Sequence, residues 1–328
     1  MKNMEELYMY NVLIFDVYNV FHRVFFGNEN LTKIGDKLIP IDAICKYFEL
    51  CNSYIDKYGL KKDCTIYWLM DNAKSAITNR KFIDENYKKN RKEMPEEFYT
   101  ALNIIELILK FYKDGVLYRK NGVEADDYVE QIVDNYVNEH DHVLLFSNDM
   151  DWSRYLTNDT EHDIKVDQYI KNNEILTVKG FEEKYGFKPT VSNITMFKCF
   201  YGDSSDNIPP TLSNYPKQYF LDALKYNHID NFIRDALEGK ITYLDCGYRI
   251  RIKQLQDRMR MNWNLISAIN ITVNDLENWK VECAYKPNKL LIIYNTLNVV
   301  GRFDKRVKNE NKGSDLLSML EGETVERV

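Results

Sequence analysis

Val12-Leu13-Ile14-Phe15-Asp16 is a short apolar run that stops on a carboxylate. It is too short for an amphipathic helix, and its β-branched and aromatic side chains suit a strand covered on both faces. The same pattern recurs. Thr65-Ile66-Tyr67-Trp68-Leu69-Met70 runs into Asp71, and Val143-Leu144-Leu145-Phe146 runs into Asp149 and Asp151. A shorter strand, Val116-Leu117-Tyr118, precedes Glu124, Asp126 and Asp127. Residues 41–56 and 98–113 carry helical periodicity. Strands alternating with helices predict an α/β fold: a central, mostly parallel sheet flanked by helices.

Ile164 to Tyr169, Asn172-Asn173 and Ile175 to Val178 predict a hairpin. Beyond Lys188-Pro189 the pattern is mostly helical over 191–305, without strand alternation. The chain therefore divides into an α/β domain over 1–190, a helical domain over 191–308 and a polar tail over 309–328. The tail holds one apolar patch, Leu316-Leu317-Ser318-Met319-Leu320. It reads either as a docking motif for a sliding clamp or single-strand-binding protein, or as a plain helix end.

A hydrophobic content of 45% over 328 residues supports cores of this size. No apolar run approaches the ~18 residues of a membrane span. The N-terminus lacks the basic start and small-residue cleavage site of a signal peptide. A cytoplasmic monomer is expected. The six cysteines form no C-x-x-C pair, and the five histidines are scattered apart from His140 and His142. Ligand spacing for zinc and a disulfide framework are both missing. The net charge of −6 argues against a nucleic-acid partner. It would become +3 without nine candidate carboxylates, and bound cations can make such a cluster attractive to phosphate.

Those nine are Asp16, Asp71, Glu124, Asp126, Asp127, Asp149, Asp151, Asp203 and Asp206. Singly, each has a bland explanation: Asp after a strand is common turn chemistry, and acids at a helix start are common caps. Together they have an address. Ligands of open parallel sheets bind beyond the carboxyl ends of the strands, where four segments deliver acids. A fifth, Gly202-Asp203-Ser204-Ser205-Asp206-Asn207-Ile208-Pro209, adds two more. Crowded carboxylates need counter-charge, and an all-oxygen set suits Mg²⁺ or Mn²⁺. Two such ions are the usual apparatus of phosphoryl chemistry.

Basic residues follow Asp71: Arg80, Lys81, Lys88, Lys89, Arg91 and Lys92. A helix here would gather Arg80, Tyr87 and Arg91 on one face at about 100° per residue. Such a face is either simply solvated or steers a phosphodiester onto the metals. Of the interleaved aromatics, Tyr87 and Phe82 suit packing or base stacking, with packing favoured for Phe82.

In this order the segments resemble the 5′-nuclease family: the 5′–3′ exonuclease domains of bacterial DNA polymerases, flap endonucleases and phage exonucleases. Ile14-Phe15-Asp16 with His22 to Phe26 is similar to the family's first strand and helix. Asp71 with Arg80, Tyr87-Lys88 and Arg91 resembles its second Asp and basic arch helix, placed near 78–98. Glu124-Ala125-Asp126-Asp127, Ser147 to Asp151 and Gly202 to Pro209 resemble its remaining acidic blocks. Asp71 to Ser75 and Tyr87 to Arg91 are particularly similar to the ribonuclease H of T-even phages.

The resemblance implies removal of RNA primers during phage DNA replication, on DNA and RNA–DNA hybrids with 5′ ends. It places one metal on Asp16, Asp71, Glu124 and Asp126. It places a second on Asp127, Asp149, Asp151, Asp203 and Asp206, partly through water. Lys88 would contact the scissile phosphate, supported by Arg91 and Arg80. Lys81, Tyr87, Lys89, Lys92 and Lys217 would bind nucleic acid. Two departures stand out. Val17 replaces the usual Gly, and the Gly-rich turn ahead of Pro216-Lys217 has become Pro210 to Tyr215. The second puts duplex binding by this degenerate helix–turn–helix in question, together with a potassium ion there. Alternatives are a related endoribonuclease, which would lack the Gly202 to Pro209 block, and a non-catalytic structure-specific binder, which would lack a metal ligand.

Overall fold

A computed structural model describes residues 9–28, 30–60, 64–71 and 78–307. In chain order it comprises β1 (Val12–Asp16), α1 (Val17–Phe25), β2 (Thr32–Ile34), β3 (Lys37–Ile39), α2 (Ile41–Tyr58) and β4 (Thr65–Leu69). Then come α3 (Asn79–Ile83), α4 (Glu96–Tyr112), β5 (Gly115–Tyr118), α5 (Ala125–Tyr136) and β6 (His142–Phe146). A 3₁₀ turn (Met150–Tyr155) leads to β7 (Thr157–Asp159), β8 (Ile164–Tyr169) and β9 (Ile175–Leu176). Helices follow: α6 (Val178–Tyr185), α7 (Val191–Tyr201), α8 (Lys217–Ala223), α9 (Ile229–Leu237), α10 (Cys246–Ile266) and α11 (Val273–Trp279). The described chain ends with β10 (Lys280–Cys283) and α12 (Pro287–Leu297).

The main sheet runs β10-β5-β4-β1-β6-β8-β7. Its five inner strands are parallel, and β10, β7 and β9 pair antiparallel with their neighbours. The mostly parallel sheet expected from the alternating pattern is present, and β8–β9 is the expected hairpin. All of β1 is buried because both faces are covered. Leu13 and Phe15 enter the core beneath α1, α2 and α4, while Val12 and Ile14 enter the one beneath α5 and α11. Phe15 stacks between Trp68 at 4.6 Å and Phe146 at 4.4 Å. Truncating it to Ala is expected to cost about 3–5 kcal/mol.

From β1 the chain moves out to β4 and β5, then returns across β1 to β6. The strand order reverses there, which opens a crevice beyond the carboxyl end of β1. Asp16 sits at that point.

A third core unites α6 to α10. The region after residue 190 needs one correction. Strand β10 joins β5, and Leu290, Ile293, Tyr294 and Leu297 of α12 enter the α1–α4 core. Residues 280–307 thus belong with the sheet, so the boundary at 190 does not separate two cores. Short alternation in Lys280–Cys283 carried little periodic signal, and only pairing with β5 makes it a strand. The tail, including Leu316 to Leu320, lies outside the described residues, as do Asn72 to Ser75.

Candidate active site

Two groups of carboxylates meet at the crevice. In the first, Asp16 caps α1 by accepting from the Asn19 amide at 2.9 Å, and accepts from Ser147 Oγ at 2.8 Å. Asp71 accepts from the Ala125 amide at 2.8 Å, which ties the end of β4 to the start of α5. Glu124, the N-cap of α5, receives Lys88 Nζ at 2.7 Å, Arg80 Nη1 at 2.9 Å and the Tyr87 hydroxyl at 3.0 Å. Burial, reinforced by the Asp71 charge, pushes Asp16 up from 3.8 to about 8. Burial also raises Asp71, against the pull of Lys88. Glu124 goes the other way: burial opposes ionisation, but Lys88 and Arg80 outweigh it and hold the carboxyl below its ordinary range.

In the second group, Asp149 accepts from the Asp151 amide at 2.9 Å. Asp151 pairs with Arg154 and with Lys198 Nζ at 2.8 Å, and the same ammonium reaches Asp203 at 2.6 Å. Asp206 takes Arg91 Nη2 at 2.5 Å and the Tyr87 hydroxyl at 2.9 Å. Asp151, Asp203 and Asp206 each offer an oxygen within 4.8 Å of the others. Burial works against ionising Asp151, yet Lys198 and Arg154 hold it well below the carboxylate range. Among the described residues Asp149 has no such partner within bonding distance, and burial with the Asp151 charge lifts it to about 6. Tyr87 bridges the groups through one hydroxyl, whose single proton serves Glu124 or Asp206 but not both at once.

The all-oxygen chemistry of both groups fits hard divalent cations. Their crowding fits as well: added positive charge would favour the ionised form of Asp16, which burial and the Asp71 charge oppose.

Three expectations change. The basic stretch is not a helix over 78–98. α3 ends at Ile83, where Asp84 accepts from the Asn86 amide at 2.9 Å, and residues 85–90 are turns. Asp and Asn side chains offer the backbone this alternative to helix. The segment is instead zipped to the Gly202–Pro209 loop. Lys88 N donates to the Asp206 carbonyl at 2.9 Å, Asn90 to Ser204 O at 2.6 Å, and Asn207 to Asn86 O at 2.8 Å.

Arg80 is the second change. It is 2% exposed, and its three nitrogens bond to Glu124, Asp126, Asp127 and the carbonyls of Leu265 and Ser267. No donor is left for a phosphate. It supplies counter-charge from beneath.

Asp127 is the third. It is 1% exposed and accepts from Arg80 at 2.7 Å, Glu124 N at 2.9 Å and Ile269 N at 3.0 Å. It anchors α5 and stands apart from the second group. The aromatics also exchange places: Tyr87 is buried, while Phe82 is 78% exposed.

Lys81, Lys89 and Lys92 are exposed, and Lys217 opens α8 with its ammonium against Gly186. The reading of the sequence missed Lys198 and Arg154. Lys198 is the lone cation in Thr195-Met196-Phe197-Lys198-Cys199-Phe200. A charge inside an apolar run signals a buried, paired group.

A family model described as the 5′-3′ exonuclease N-terminal resolvase-like domain matches residues 11–186. A 5′-3′ exonuclease of Buchnera aphidicola is 29% identical, covering 76% of this chain and 82% of that protein. DNA polymerase I of Caldicellulosiruptor bescii is 26% identical over 77% of this chain, but the match spans only 31% of the polymerase. The flap endonuclease of bacteriophage T5, in complex with DNA and metal ions, has the same fold at a TM-score of 0.57. It is 19% identical, with 90% of this chain and 94% of that one covered. Among the described residues, no helix is long and apolar enough to cross a membrane. The family match covers more than half of the chain and every strand of the crevice, and the chain belongs to the 5′-nuclease family, whose members are phosphodiester-cleaving 5′–3′ exonucleases and flap endonucleases.

Proposed function

We propose that this chain is a divalent-metal-dependent 5′ nuclease that hydrolyses phosphodiesters near the 5′ ends of flaps, nicks or RNA–DNA hybrids. The observation that carries the reading is the pair of carboxylate groups, drawn from five segments to one sheet edge and bordered by Lys88 and Arg91. Asp16, Asp71, Glu124 and Asp126 would hold one Mg²⁺ or Mn²⁺, and Asp149, Asp151, Asp203 and Asp206 a second. Bound there, the ions would acidify an attacking water and stabilise the leaving oxygen. The T5 relative crystallised with DNA and metal ions supports this reading.

The chain's own cations divide by exposure. Arg80, Arg154 and Lys198 are buried and neutralise carboxylates. Lys88 and Arg91 have side chains 19% and 43% exposed, so they are the ones able to meet a substrate phosphate. Lys88 adopts the left-handed backbone, φ 56°, in a turn whose amide is fixed to the Asp206 carbonyl. That fixes the stem of the lysine while its ammonium stays free to exchange Glu124 for phosphate.

RNA-primer removal in phage replication rests on the likeness of Tyr87 to Arg91 and Asp71 to Ser75 to phage ribonuclease H. Cleavage of 5′-labelled DNA flaps and RNA–DNA hybrids, with Mg²⁺ and with EDTA, tests both levels. Mg²⁺-dependent products near the 5′ end are expected. No product from any branched, nicked or hybrid substrate would sink the enzyme reading.

A further inference from the structure

The turn after Ile208 has few amides to offer a ligand. Pro210 and Pro216 have none, Thr211 N and Leu212 N both donate to the Phe200 carbonyl, and Tyr215 N donates to Leu212 O. Helix α10 packs against this turn, where the Tyr248 hydroxyl donates to Asn214 O at 3.3 Å. At about 100° per residue, Gly247, Arg251, Gln254 and Arg258 fall on one flank of α10, within about 60°. Arg258 helps line a groove of about 540 Å³ together with Asp203, Asn86, Asn90 and Pro210. The groove is therefore continuous with the second carboxylate group.

One of the two cations on this flank, Arg251, is uncommitted, and the other is committed through one nitrogen. Arg251 has no carboxylate partner among the described residues. Arg258 uses only Nη1, on Asp84 at 3.1 Å and the Met261 sulfur at 3.2 Å. On the opposite flank Arg260 is committed through two nitrogens, Nε to Asp230 of α9 at 2.7 Å and Nη1 to Asp257 at 3.2 Å. Arg251 and Arg258 stand two helical turns apart, about 10.5 Å along the axis. A nucleic-acid strand places about three phosphates over that length, at about 3.4 Å per nucleotide.

We propose that this flank of α10 is a second nucleic-acid contact, in which Arg251, Gln254 and Arg258 bind the phosphate backbone of the duplex leading away from the carboxylates. It adds to the few amides that the proline-rich turn has to offer. The proposal rests on the nuclease reading above.

Binding of a fluorescent 5′-flap duplex in EDTA, titrated with salt, is the test. Arg251→Glu should weaken binding at least 10-fold and lower the slope of log affinity against log salt by about one. Arg251→Lys should restore most of the affinity. Lys253→Glu makes the same charge change away from the flank and should stay within two-fold of wild type. In cleavage assays the Arg251→Glu loss should appear in KM rather than in the rate at saturating substrate. Matching thermal melts establish that the variants fold. A flap-cleaving wild type with Arg251→Glu binding within two-fold of it, or Lys253→Glu losing as much as Arg251→Glu, overturns the α10 contact alone. A wild type that binds no flap overturns the nuclease reading with it.

Discussion

The two carboxylate groups handle the same electrostatic problem differently. The second brings its own cations: Lys198 bridges Asp151 and Asp203, and Arg154 holds Asp151 from behind. The first leaves Asp16 and Asp71 with hydrogen-bond donors but no salt bridge among the described residues, and Asp16 keeps its proton to about 8. The difference predicts unequal appetites for metal. An ion entering the first group meets Asp16 and Asp71, which have no cation paired to them among the described residues, whereas one entering the second must share its ligands with an ammonium already in place.

Four experiments would break or sharpen this comparison. Asp71→Asn should abolish detectable cleavage while flap binding persists, measured by gel assay and anisotropy. Near-normal turnover would remove Asp71 from the site. Lys198→Met leaves buried Asp151 and partly buried Asp203 without their shared cation, and should destabilise the metal-free protein by about 3–5 kcal/mol. Urea unfolding should show Mg²⁺ recovering much of that loss. An unchanged midpoint would mean that the second group does not depend on its lysine.

Lys88→Ala should slow the single-turnover rate about 10²-fold, the scale for one charge-stabilising donor. An unchanged rate would confine Lys88 to pairing with Glu124.

The last effect is on pH. Asp16 has a folded pKa raised above its unfolded value. Its contribution is full below about 4 and lost as pH rises through about 8. Asp151 and Asp203 are depressed, so theirs is present above the ordinary 3.8 and lost as pH falls below it. Metal-free melts should therefore weaken at both ends, the alkaline limb from Asp16, Asp71 and Asp149 and the acid limb from Glu124, Asp151 and Asp203. Asp16→Asn should flatten only the alkaline limb, and Mg²⁺ should suppress it in the wild type. An alkaline limb indifferent to both would reject Asp16 as its source.

Much of the scaffold was legible along the chain. Apolar strands ending on acids indicated a parallel sheet and the edge at which Asp16, Asp71, Glu124, Asp149 and Asp151 gather. Strand β10 was not legible, because four residues pairing at a sheet edge leave too little periodicity to read. Nor was the split among the acids and cations. Asp126 and Asp127 are neighbours in sequence, yet successive residues of a helix point about 100° apart. Asp127 accordingly turns in to Arg80 and the Ile269 amide. Arg80 and Lys88 read alike as basic residues of one segment. The Asp84 turn breaks that segment, sending one inside and leaving the other at the crevice.

The sequence by itself determined the α/β class, the family and the carboxylates available at the sheet edge, because strand periodicity and motif order are local properties of the chain. Only the tertiary structure decided which charges pair. Pairing depends on distances between segments far apart in sequence, such as the 44 residues separating Arg80 from Glu124. It also depends on burial, which makes each unpaired carboxylate costly and each buried cation a partner rather than a ligand for substrate.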